Sequence, residues 1–289
     1  MPSSSDELVD LLDLETIDIN LFRGTQPDTL LQRVFGGQVA AQALVAGART
    51  VDPGLAVHSL HSYFLRPGDP AVPIVYDVER IRDGRSFSTR RIAARQHGRV
   101  IYYMTASFQV HEEGLEHQDV MPDVTSPEES LDMGELFRKR SPDNADEWLR
   151  EWAALELRWV GDSREGGNIP GDEHPSQSRL WIRVSGKLPD DPVVHQAAFT
   201  YASDMTLLGS TLVPHGVHVS HPKMQSASLD HTVWFHRPFR ADQWLLYDQV
   251  SPSASGGRGL AIGRLFTEDG TLVASVAQEG LIRVRREQA

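Results

Sequence analysis

The 289-residue sequence predicts an α+β protein of two tandem units, each an antiparallel sheet wrapped around one helix, with the two sheets joined into one. Three observations predict this. First, "LHSYFLRP" (60–67) and "HTVWFHRP" (231–238) align without gaps, so that Tyr63 matches Trp234, Phe64 matches Phe235, and Arg66-Pro67 matches Arg237-Pro238. Second, "HGRVIYYMTASF" (97–108) and "DGTLVASVAQEG" (269–280) align through Gly98 and Gly270, which lie 31 and 32 residues beyond those prolines. A Gly-Arg step, Gly84-Arg85 or Gly257-Arg258, falls between the two matches in each copy. Third, each copy offers a small-residue helix followed by long strands. Ordered matches at near-equal spacing are the mark of an internal duplication.

The first helix is expected over 34–48, where Val34, Gln38, Ala41, Val45 and Ala48 recur at helical spacing on one face. Strands follow at 71–81, 88–95 and 99–110. Residues 115–175 interrupt the pattern and read as a connection. Within it Ser126, Pro127 and Glu129 carry a helix-start signature, 146–155 a second helix, and 161–178 a loop. The second copy opens on Asp191-Pro192, suited to a helix entry, and its helix is expected over 191–208. Val194, Ala197, Tyr201, Asp204 and Leu208 form its stripe. Strands at 244–250, 260–266 and 272–284 complete the copy. The expected division is thus 1–114, 115–175 and 176–289. A helix followed by long antiparallel strands, twice over, resembles the hotdog fold, here doubled within one chain.

Composition narrows the function. A formal net charge of −12 argues against general nucleic-acid binding. No run approaches a membrane span, and the acidic first residues lack the basic start of a signal peptide, so a cytoplasmic location is expected. Without cysteine, thiolate metal sites and a cysteine nucleophile are excluded. His215, His218 and His221 have a ligand-like spacing but no acidic neighbour, and no metal or other cofactor is expected. "SGKL" (185–188) is not a P-loop. The arginines of 83–99, including Arg85, Arg90 and Arg91, suit either a small polyanion or a solvent-facing strand.

"SASLDHTVWFHRPF" (226–239) places Ser228, Asp230 and His231 together. Read as one regular strand, Ser228 and His231 point to opposite sides, and a bond between them needs a bulge. The chain also lacks the G-x-S-x-G nucleophile elbow; "GDSREG" (161–166) is a near miss in a loop. A serine nucleophile is therefore not expected. Asp204 stands where the helix stripe calls for an apolar residue, either as a half-exposed edge residue or as a functional carboxylate. Gln278 ends a row of Leu272, Ala274 and Val276. The repeat places Val57 against Ser228 and Ala106 against Gln278. These three polar positions of the second copy read together as one site.

The runs "VFGGQVAAQAL", "HSLHSYFLRPGDP", "RDGRSFSTRR", "LWIRVSGKLPDDPVVHQAAFTYASDMTLL", "ASLDHTVWFHRPFRADQWLLYDQVSPSASGGRG" and "FTEDGTLVASVAQEGLIR" resemble the type II acyl-CoA thioesterases, a family of duplicated hotdog enzymes. The resemblance implies hydrolysis of acyl-CoA to a carboxylic acid and coenzyme A by an activated water. It implies Asp204, Ser228 and Gln278 as the site, and a homo-oligomer, dimer or tetramer. Under it, Arg85, Arg90, Arg91 and Arg258 become the expected ligands of the CoA phosphates. The alternatives are a hotdog enoyl-CoA hydratase, which would want a histidine beside Asp204, and a non-catalytic acyl-CoA binder.

Overall fold

A computed structural model describes residues 1–140, 145–172, 174–219 and 221–285. The first half contains α1 (Ser5–Leu12), β1 (Glu15–Asp18), β2 (Leu21–Gly24), α2 (Gly36–Ala48), β3 (Leu55–Phe64), β4 (Ile74–Asp83), β5 (Phe87–Gln96) and β6 (Arg99–Val110). Then come β7 (Leu131–Asp132), α3 (Met133–Arg140), α4 (Ala145–Glu151), β8 (Leu155–Asp162) and β9 (Gln177–Val184). The second half continues with α5 (Pro192–Ser203), a 3-10 helix (Leu207–His215), β10 (Met224–Ser228), β11 (Asp230–Phe235), β12 (Leu245–Ser255), β13 (Arg258–Thr267) and β14 (Leu272–Val284).

The strands make one antiparallel sheet in the order β1-β2-β4-β5-β6-β3-β11-β14-β13-β12-β9-β8-β7, with β10 also on β14. The order on one side of the β3/β11 seam mirrors that on the other. β3 and β11, which carry the first sequence match, form the seam itself, with Tyr63 opposite Asp230 and Ser59 opposite Trp234. Gly98 and Gly270 sit at positive φ in equivalent hairpin turns, where a side chain is strained. Arg66 donates to Val100 O at 2.7 Å, and its counterpart Arg237 donates to Leu272 O at 3.0 Å. The matched arginines are thus framework, each holding the same strand end.

α2 and α5 lie side by side beneath the sheet. Residues 37–47 of α2 are all buried, so a helix of glycine, alanine and a few aliphatics is required on every face. Its two glutamines are satisfied internally. Gln42 donates to Leu11 O and accepts from Tyr76, while Gln38 donates to Gln26.

Several expectations change. No element was expected before residue 34, yet α1 is capped by Ser4 and buries Leu8, Leu11 and Leu12. Strands β1 and β2, of four residues each, give too few alternations to be read from sequence. Ser126 Oγ caps only a turn, accepting from Glu129 N at 3.3 Å, and the helix starts at Met133. The segment expected to be pure connection contributes β7 and β8 to the sheet, and β8 and β9 occupy the place that β1 and β2 hold in the first half. The second helix ends at Ser203, well before residue 208, making Asp204 its C-cap.

Arg90 is also corrected. It is 1 % exposed and cannot serve CoA. Its guanidinium donates to Thr50 Oγ1 and O, Arg82 O, Thr89 O and Asp83, which occupies all five N–H groups. Replacing Arg90 with Met is expected to cost about 3–5 kcal/mol in denaturant unfolding, because buried carbonyls lose their donors. A loss below about 1 kcal/mol would refute this structural role.

Candidate active site

The site assembles where the C-terminal end of α5 meets the N-terminal end of α2. Asp204 is half-buried at the C-cap of α5, in helical conformation with φ −78° and ψ −10°. Its Oδ1 accepts from Ser228 Oγ at 2.8 Å and from Gln278 Nε2 at 2.5 Å. The N–H of Gly37 supplies a further hydrogen bond. Phe35, the N-cap of α2, provides no side-chain cap, so the first-turn N–H groups of that helix are left for Asp204 and for a ligand. Burial of the carboxylate pushes its pKa up from 3.8 to about 6, against the opposing pull of the Gln278, Ser228 and Gly37 donors. A carboxylate so poised can accept a proton near neutral pH and release it again.

The three residues singled out in the sequence therefore come together, each from a different element: a helix end, β10 and β14. Gln278 is fully buried in the row Leu272, Ala274, Val276, Gln278, as its alternation predicts. The strand reading of Ser228 and His231 needs correction. Ser228 pairs with Gly280, but Thr232 pairs with Ala277, so the register slips by one around Leu229. This bulge turns Ser228 and His231 to the same face. Even so, Ser228 bonds Asp204.

His231 is the residue that sequence reasoning missed. It is buried, with Nδ1 3.1 Å from Gln278 Nε2 and Nε2 2.8 Å from Ser203 Oγ. Because the amide donates to Nδ1, the proton belongs on Nε2, directed at Ser203, whose hydroxyl passes its own hydrogen to Thr200 O at 3.0 Å. Burial lowers the His231 pKa from 6.5 to about 4, so the ring is neutral at pH 7. The helix stripe itself carries no histidine beside Asp204; His231 comes from β11 and is separated from the carboxylate by Gln278. The repeat carried its signal: the match in the first half is Leu60, so His231 too is polar only in the second copy.

With both Gln278 hydrogens committed to Asp204 and His231, its buried Oε1 has no partner among the described residues. The first half differs at the equivalent register. Arg90 lies opposite Ala106 there, as Ala261 lies opposite Gln278 in the second half. The Arg90 guanidinium then reaches Thr50, just beyond the end of α2.

Close approach of the two helices requires glycine. A Cβ on Gly36 would meet Asp204 Oδ2 at 2.5 Å, and one on Gly37 would meet Tyr201 O at 2.2 Å. Gly37→Ala is expected to destabilise the fold by about 2–3 kcal/mol and to weaken catalysis, since the backbone carbonyl cannot turn aside. Thermal unfolding alongside activity checks it; a wild-type melting temperature would refute the close packing.

Two of the other arginines lie on the opposite face of the sheet. Arg91 is paired with Glu79 and lies over the Tyr103 ring, and Arg258 is paired with Glu279 at 3.0 Å. Both are exposed on the face of the sheet opposite Gln278. Arg85 is exposed in the β4–β5 turn.

One continuous antiparallel sheet around two central helices, with one site at their junction, is a double hotdog. Comparison with known proteins agrees. The family described as acyl-CoA thioesterase matches residues 157–281, and that described as acyl-CoA thioesterase N-terminal domain matches 26–109. The chain is 41 % identical to acyl-CoA thioesterase 2 of Haemophilus influenzae, covering 96 % of both chains. It is 42 % identical to human acyl-coenzyme A thioesterase 8, over 95 % of this chain and 88 % of the relative. The crystal structure of acyl-CoA thioesterase II TesB2 from Mycobacterium marinum superposes with a TM-score of 0.81 at 48 % identity, covering 96 % of this chain and 98 % of that one. This chain belongs to the type II acyl-CoA thioesterase family.

Proposed function

We propose that the protein hydrolyses acyl-CoA to a carboxylic acid and coenzyme A, using a water activated by Asp204. The observation that carries the residue roles is the convergence of Ser228 and Gln278 on one oxygen of a carboxylate whose pKa is raised to about 6, beside an unpartnered Gln278 Oε1. A water donating one hydrogen to Asp204 and the other to Gln278 Oε1 is held with its lone pair free. Attack on the thioester carbonyl forms the C–O bond as Asp204 takes the proton. Collapse of the tetrahedral intermediate breaks the C–S bond, and Asp204 returns the proton to the departing thiolate. First-turn N–H groups of α2 are suited to the oxyanion. Ser228 orients the carboxylate and the water and is not acylated. Among the described residues no helix is long and apolar enough to cross a membrane. Tyr63, Trp234, Leu260 and Ile262 are exposed on the outer face of the sheet, which supports association into a dimer or tetramer.

Thiol release from acyl-CoAs of graded chain length, with wild type and Asp204→Ala, tests the reading. Release by the wild type that collapses in the variant is expected. Release unaffected by the substitution would remove Asp204 from the chemistry. Absence of release at every length would favour a binder or a hydratase.

A further inference from the structure

A cleft of about 360 Å³ adjoins this site, with residues 31–33 on one wall and 224–227 with Arg285 on the other. Both walls lead directly into the chemistry. Ala227 precedes Ser228, and 31–33 runs through Val34 and Phe35 to Gly36, which lies against Asp204. The wall formed by β10 is hydrogen-bonded to β14 on one side only.

The charge of the cleft is unlike that of the rest of the chain. In a protein of net charge −12, it is lined by two arginines and no carboxylate. Arg33 and Arg285 are both exposed, and neither has an ion-pair partner among the described residues. The spacing is also informative. Arg285 N donates to Lys223 O at 2.7 Å, which fixes it at the end of β10 far from Ser228. Five strand steps separate Lys223 from Ser228, roughly 17 Å. This is a separation that an extended pantetheine arm spans.

We propose that the cleft takes the phosphate end of coenzyme A, with Arg33 and Arg285 as phosphate ligands and the pantetheine arm lying along β10 to deliver the thioester to Ser228. The proposal rests on the thioesterase reading and replaces the arginines expected from sequence.

The test compares kcat/KM for one acyl chain carried on CoA and on pantetheine, which lacks the phosphates. Arg33→Ala and Arg285→Ala are each expected to lower the CoA-to-pantetheine ratio about 3- to 10-fold through KM, and the double variant by more. Added salt should shrink the wild-type ratio in the same direction. Adenosine 3′,5′-bisphosphate should compete with acyl-CoA, and less strongly in the variants. An unchanged ratio in the double variant overturns the assignment. So does a ratio that falls only in Arg85→Ala, which would return the phosphates to the β4–β5 turn. Failure of the wild type to hydrolyse either substrate overturns the thioesterase reading and this assignment with it, whereas hydrolysis of both at an unchanged ratio overturns the cleft alone.

Discussion

Asp204→Asn is expected to lower kcat for acyl-CoA about 10²–10⁴-fold with little change in KM, the range that a positioned general base supplies. The amide keeps the size of the carboxylate and still accepts from Ser228 and Gln278 through its oxygen, so the loss reports the proton and not the packing. In the wild type, kcat/KM is expected to fall as pH drops through about 6, where the carboxylate protonates. A variant with more than a tenth of wild-type kcat would exclude Asp204 as the base.

The same substitution has a stability consequence of opposite sense. The folded protein holds the Asp204 proton more tightly than the unfolded chain, about 6 against 3.8. Between those values the folded state binds more protons, so its stability falls as pH rises, by roughly 3 kcal/mol over the window. The asparagine variant escapes this penalty. It should unfold at a higher temperature than wild type at pH 8, and the advantage should vanish toward pH 4. His231, depressed by burial to about 4, acts the other way, losing stability as pH falls from 6.5, but it is common to both proteins and cancels in the difference.

Gln278→Glu should lower kcat/KM at pH 7 by at least about 100-fold and move the acidic limb of the profile upward. Volume is conserved, but the two hydrogens given to Asp204 and His231 Nδ1 are replaced by acceptors. The new carboxylate faces Asp204, and two carboxylates sharing a site raise one pKa. At pH 7 the base is then protonated in a larger fraction of molecules. The water proposed beside Oε1 also loses its neutral acceptor. The pH–rate profile is the measurement. A limb still near 6, with rates within threefold of wild type, would mean that Gln278 does not touch the base.

The duplication was legible in the sequence because it is a property of order and spacing: paired strands, hairpin glycines and the framework arginines Arg66 and Arg237 recur at fixed intervals. It also singled out the candidate site, since Ser228 and Gln278 have apolar counterparts in Val57 and Ala106. Other features depend on contacts between distant segments, for which local sequence has no period. The bulge at Leu229 arises from pairing with β14, and it alone brings His231 to the face of Ser228. Whether an arginine is buried is decided by what packs over it. Arg90 disappears into the first half, while Arg33 and Arg285, far apart in the chain, meet at one cleft. The sequence by itself determined a doubled fold with polar residues in only one copy. Tertiary structure decided which of them converge, because the raised pKa of Asp204 exists only once α2, β10 and β14 close around the end of α5.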